Sequence, residues 1–201
     1  GVINIITRQN TNELKLGTGS FNQLDAYVLG TKKSNAWQFD IYAQTDRDQG
    51  KSYNMDDNFN PNPAIRINDH DPTHSATIDL AIRHHDTLLR ISHRQERTLG
   101  FYAVETLSEN FNQSYHAVEQ ISLEQEIHWS SALHSHLMLG WEQTTQQLDT
   151  QATAAGALAA LSQPSSTAPL LGKATQTGRY WQFKWHNDWQ LDNQNSAQFG
   201  L

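Results

Sequence analysis

Trp37-Gln38-Phe39-Asp40-Ile41-Tyr42-Ala43-Gln44 alternates apolar and polar side chains without a break. An extended backbone sends successive side chains to opposite faces, so residues 37–44 read as a strand with one apolar and one polar side. The same period runs outward in both directions. Leu14, Leu16 and Thr18 alternate with Lys15, Gly17 and Gly19, and after Ser20-Phe21-Asn22 come Leu24, Ala26 and Val28 against Asp25, Tyr27 and Leu29. Downstream, Ile78, Leu80 and Ile82 stand against Thr77, Asp79 and Arg83, and Leu89 and Ile91 return against Arg90 and Ser92. Ile121, Leu123, Ile127 and Trp129 share a face that Gln125 interrupts, and Leu133, Leu137, Leu139 and Trp141 form the next. Trp181, Phe183, Trp185 and Trp189 make another, interrupted by Asn187, before a last strand near Ser196. These segments predict an all-β chain of about eight to nine antiparallel strands.

The connections carry as much information as the strands. Short turns are expected at 32–35, 84–86, 130–132 and 192–195, and long loops at 47–74, 96–115 and 148–177. Prolines 61, 63 and 72 argue against a strand in the first loop. In the third, Ala152 to Leu161 has the composition of a short helix that Pro164 would stop. Alternating short and long connections are the asymmetry of outer-membrane barrels, with short periplasmic turns and long extracellular loops. The short Ser20 connection is the exception. Trp37, Trp129 and Trp189 lie beside short turns, where an amphipathic ring suits the headgroup level of a bilayer. A soluble β-sandwich, packing such faces sheet on sheet, is the competing explanation of the same alternation.

Composition narrows the functional classes. Hydrophobic residues make up 37% of the 201, and mean hydropathy is −0.67. Low mean hydropathy fits a soluble protein, but also a transmembrane barrel, which places apolar residues only at every second position. No apolar run approaches the ~20 residues of a spanning helix. A net charge of −7 and a pI near 5.7 argue against nucleic-acid binding, which needs clustered Lys and Arg. The absence of cysteine removes disulfides and thiolate sites. No G-x-S-x-G, H-E-x-x-H or phosphate-cradling glycine loop is present, so no catalytic residue and no enzyme activity are expected.

The first eight residues, G-V-I-N-I-I-T-R from Gly1 to Arg8, are apolar on both faces, as in a strand buried on both sides. A polar stretch, Gln9 to Asn12, separates them from the first alternating segment. This order resembles the end of the plug domain, the linker and the first barrel strand of TonB-dependent outer-membrane receptors. In specific residues the resemblance covers only Gly1 to Arg8, and in layout the whole chain. It implies a division into the C-terminal end of a plug (1–8), a linker (9–12) and the N-terminal part of an incomplete transmembrane β-barrel (13–201). It further implies TonB-energised uptake of a scarce nutrient at the bacterial outer membrane, most naturally a ferric siderophore, with TonB engaged through a region upstream. Alternatives from other classes are a passive porin-like or other outer-membrane barrel, and a soluble carbohydrate-binding β module using its Trp residues.

Arg47 and Tyr53 open the first long loop, and Arg97, Phe101 and Tyr102 open the second. Arginine among aromatic rings suits an anionic, ring-bearing ligand such as a catecholate ferric siderophore, through charge-assisted hydrogen bonds and cation–π contacts. Outer-membrane lipid and lipopolysaccharide at the rim are the other partners such groups suit. His128, His134, His136 and Glu126 converge across a short hairpin, but read as polar packing inside the barrel rather than as a metal site. Asp56, Asp57, Asp69 and Asp71 offer hard oxygen ligands for calcium, but without EF-hand spacing they read as a solvated loop. No cofactor and no metal are expected.

Overall fold

The computed structural model describes residues 11–51, 53–56, 66–69, 71–100, 112–153, 170–192 and 194–201. They form an all-β structure. The strands are β1 (Glu13–Thr18), β2 (Leu24–Ser34), β3 (Trp37–Arg47), β4 (Tyr53–Asp56), β5 (Arg66–Asp69), β6 (Thr73–His84), β7 (Thr87–Leu99), β8 (Gln113–His128), β9 (Leu133–Thr153), β10 (Leu170–Gln190) and β11 (Ser196–Gly200). Nine of them make one antiparallel sheet in the order β1-β2-β3-β6-β7-β8-β9-β10-β11, while β4 and β5 pair separately. The large sheet is open: β1 and β11 are its two edges.

Tight turns set the register. Ser34 pairs with Trp37 and His84 with Thr87, leaving the two-residue loops Asn35-Ala36 and His85-Asp86. The first residue of each loop has a positive φ, 52° at Asn35 and 51° at His85. Asn tolerates this region through local hydrogen bonding; His has less to offset the strain. Between β8 and β9, Ser130 Oγ accepts the backbone N–H groups of Ala132 and Leu133, both at 3.1 Å, and closes a compact connection.

The ladders place every apolar position of the alternating pattern on one face. Ile41, Leu80, Ile91, Ile121, Trp141 and Trp181 lie in one row across six strands. Two residues nearer the short turns, Phe39, Ile82, Leu89, Leu123, Leu139 and Phe183 form the next row. The opposite face carries polar rows such as Tyr42, Asp79, Ser92, Gln120, Glu142 and Tyr180. Along β3 the apolar residues Trp37, Phe39 and Ile41 are the exposed ones, while Gln38, Asp40 and Tyr42 are half-buried. More shielding on the polar side is what a sheet curved with its polar face inward produces. Among the described residues the only buried apolar side chains are Leu88 and Ala117. Among the described residues the sheet is thus a single layer, with no second sheet of comparable size against its apolar face.

The sequence-based expectations need four corrections. Strands β7 and β8 continue to Leu99 and from Gln113, so the connection expected over 96–115 is shorter at both ends. Likewise β9 runs to Thr153 and β10 starts at Leu170, which removes both flanks of the connection expected over 148–177. Segments such as Thr144-Thr145-Gln146-Gln147 have no apolar residues to show a period, yet their backbones pair and Thr favours the extended state. The connection over 47–74 holds the β4–β5 hairpin rather than loop alone. The turn expected at 32–35 moves to Asn35-Ala36, because Lys32 to Ser34 continue β2. Gly1 to Arg8, residues 9–10 of the expected linker and residues 154–161 of the expected helix-like segment lie outside the described residues, whereas Ala152 and Thr153 belong to strand β9.

The break in the apolar face at Asn187 has a structural reason. Asn187 is 2% exposed and Ser135, beside it on β9, is also buried. Trp129 Nε1 donates to Ser135 Oγ at 2.7 Å, Ser135 Oγ donates to Asn187 Oδ1 at 2.5 Å, and Asn187 Nδ2 donates to the Phe199 carbonyl at 3.2 Å. One polar chain therefore ties the β8–β9 turn to β10 and β11. Asn187→Leu strands the Ser135 hydroxyl and loosens β11, and is expected to cost about 1–3 kcal/mol. Faster amide exchange confined to residues 196–200 would report it; an unchanged exchange rate there would show that the network does not hold β11.

Candidate functional site

The apolar belt has two different borders. At the short-turn end stand Trp37, Trp129 and Trp189, all on the apolar face and all well exposed, Trp129 at 63%. On β9 the belt runs from Leu133 to Trp141, roughly nine residues, which is the length of a tilted transmembrane strand. Past it the same face turns polar: His93, Gln95 and Arg97 follow Ile91 on β7, and Gln143, Thr145 and Gln147 follow Trp141 on β9.

This rim is where two of the sequence-predicted ligand residues sit. Arg47, His74 and Arg97 are neighbours in one row across β3, β6 and β7, and the row continues through Tyr115 and Gln147. Their positions have the parity of Ile41, Leu80 and Ile91, so they share the face of the apolar belt rather than the polar face. His74, Gln95, Arg97, Gln113, Tyr115 and Gln147 border a cleft of about 420 Å³. Tyr53 begins β4 in the separate hairpin, opposite Asp69, while Phe101 and Tyr102 lie outside the described residues.

A buried carboxylate organises the rim. Arg97 Nη2 donates to Gln113 Oε1 at 2.6 Å, and Gln113 Nε2 passes the polarity on to Asp149 Oδ2, also at 2.6 Å. Lys173 Nζ lies 3.4 Å from the same oxygen, and Gln147 Nε2 donates to Asp149 Oδ1 at 3.5 Å. The Gln113 hydrogen bond, helped by Gln147 and Lys173, holds the Asp149 carboxyl below its ordinary range despite its burial. Asp149 thus stays ionised, pairs with Lys173 directly and holds Gln113, which in turn accepts from Arg97. Arg97 and Lys173 with one carboxylate leave a net positive charge, and Arg47, two strands from Arg97 in the same row, adds another. The arrangement suits a phosphate or carboxylate group arriving at the level of the rim. Sequence reading missed Asp149, Gln113 and Lys173. Nothing local marks them, because only the register between β8, β9 and β10 brings them together.

The polar face is cross-linked by short-range pairs. Thr31 Oγ1 donates to Asp40 at 2.7 Å, Gln38 Nε2 to the same carboxylate at 2.8 Å, and Arg90 stands 3.8 Å from Glu124. At the short-turn end of this face His128 opposes His134, and His136 opposes Glu126 while lying 3.3 Å from Glu124. The expected loop carboxylates are not gathered in the same way. Asp56 and Asp69 occupy opposite ends of the β4–β5 ladder, about 10 Å apart along the strands. Asp71 instead accepts the Lys51 backbone N–H at 3.2 Å, and Asp57 lies outside the described residues. Comparison with family models, with curated proteins and with solved structures finds no match to this chain.

Proposed function

We propose that the chain is part of the transmembrane β-barrel of an outer-membrane receptor for TonB-energised uptake of a scarce nutrient, with a ferric siderophore as substrate. The observation that carries the membrane reading is the uncovered apolar belt, of membrane-spanning height, bordered by Trp at one end and by a basic polar rim at the other. A soluble protein does not expose a contiguous apolar face of this extent, because patches beyond a few hundred Å² drive association. A carbohydrate-binding module would place its Trp residues in a polar groove, whereas Trp141 and Trp181 stand here side by side in an apolar row with Ile121, Ile91, Leu80 and Ile41. The inward polar face supports a barrel with a hydrated or plugged interior, and the plug-like opening Gly1 to Arg8 favours the plugged receptor over an open porin.

The facing of Arg47 and Arg97 divides the two partners suggested for them. Residues on the belt side of the rim meet the outer leaflet, so they support contact with lipopolysaccharide phosphates. A siderophore would instead be held by the polar face and the outer loops. The test uses a deletion strain complemented with the full-length gene. Uptake of a radiolabelled ferric catecholate should be restored by complementation and abolished when TonB is absent. Uptake that persists without TonB would replace the receptor by a passive barrel, and recovery of the protein in the soluble fraction would end the membrane reading.

A further inference from the structure

We infer that the short-turn end of the polar face holds a site for a first-row divalent metal, formed by Asp86, Glu126 and His128, with His134 as the residue that orients His128. One ligand atom from each of the three lies within 4.8 Å of the others, close enough for a single ion to bridge them after small side-chain movements. The inference does not depend on the uptake reading, since it needs only the two hairpin ends.

The backbone brings the three together. Glu126 and His128 are at i and i+2 on β8 and so share a face. Asp86 belongs to the neighbouring two-residue turn, and the Glu126 backbone N–H donates to the Asp86 carbonyl at 2.9 Å, which fixes that turn against β8. The rest of the argument concerns which nitrogen of His128 is free. Its Nδ1 is 2.6 Å from His134 Nδ1, a separation that requires a proton between them. Its Nε2 is 3.9 Å from Asp86 Oδ1, too far for a hydrogen bond. Either ring can donate in that bond; when His128 is the donor its Nε2 carries the lone pair, and no hydrogen bond to Asp86 holds a proton there. Donating from Nδ1 leaves the Nε2 lone pair directed among two carboxylates. Three electron-rich groups facing one another are unfavourable alone and are the donor set of a cation.

One imidazole and two carboxylates, all exposed enough to admit water, suit zinc or a similar first-row ion better than calcium, which takes oxygen donors only. A ring N–H bonded to a second residue is the usual support of a metal-bound histidine, and His134 supplies that support across the β8–β9 hairpin. The sequence had marked His128, His134 and Glu126. It had not marked Asp86, whose approach depends on the β7–β8 register.

Zinc titration of the full-length protein in detergent, followed calorimetrically and by the visible spectrum of the cobalt form, tests the site. One ion per chain is expected. Asp86→Asn and His128→Gln should each weaken zinc at least tenfold, and His134→Phe, which keeps a ring but removes the acceptor, about tenfold. His186→Gln, elsewhere on the same face, should leave affinity unchanged. Because all these side chains are exposed, unchanged heat-modifiable mobility will show that the variants fold; Glu126→Gln replaces any that does not. Wild-type affinity in the Asp86→Asn, His128→Gln double variant, or equal loss with His186→Gln, would overturn the assignment.

Discussion

On the proposed membrane reading, Leu80→Arg is expected to destabilise the protein by roughly 2–4 kcal/mol, because it sets a charge near the bilayer midplane. Leu80 stands midway along the apolar run Ile78, Leu80 and Ile82 of β6, between Ile41 on β3 and Ile91 on β7, and is 37% exposed. Two controls make the effect diagnostic. Thr45→Arg lies on the same face but four residues beyond Ile41, next to the rim, where the cost should fall to about 0–1 kcal/mol. Ser92→Arg lies on the polar face between Asp79 and Gln120, where a carboxylate meets the new charge, and should stay within about 1 kcal/mol. Reversible urea unfolding of the full-length protein in phospholipid vesicles measures all three. A cost that depends on depth along one face belongs to a bilayer. Equal costs for Leu80→Arg and Thr45→Arg would instead mean that protein, not lipid, covers the belt.

The contrast between the two faces also decides what could be read from the sequence. Between Trp37 and Ala43, or between Leu133 and Trp141, one face of the strand is apolar and the other largely polar, so every second residue differs and the strands announce themselves. Beyond the belt both faces are polar. The strands go on for another turn of the ladder and more, as in the Gln143 to Thr153 half of β9, but the contrast that revealed them disappears. The short turns were legible because they interrupt alternation, and Asn187 was legible only as a flaw in it. Its purpose needed Ser135 and Phe199, which lie on other strands.

The facing of the rim residues could have been counted from the sequence, since Arg97 is six residues from Ile91 and an even step returns to the same face. What could not be counted is register. Asp149 collects Gln113 and Lys173 from strands that begin far away in sequence, and Asp86 meets Glu126 and His128 the same way. Chemistry on a sheet surface is assembled across strands, while alternation is written along them.

The nine-stranded sheet as it stands is expected not to survive in lipid alone. Its edges are β1, with Leu14 and Leu16 turned to the outside, and β11. At an antiparallel edge about half of the backbone N–H and C=O groups point away from the only neighbour. In hydrocarbon each unsatisfied group costs several kcal/mol, so even six-residue β1 would bear a penalty comparable with the whole stability of a folded domain. On the proposed membrane reading the belt lies in a bilayer, and there the edges β1 and β11 need partners, either other strands or each other. Refolded by itself in detergent micelles, the 201-residue chain should therefore give pairs, higher oligomers or aggregates through its edges. Compared heated and unheated by electrophoresis, it should show no compact monomer. A heat-modifiable monomer would mean that β1 and β11 find each other and close a small barrel, and the polar face would then have to fill its interior without a plug.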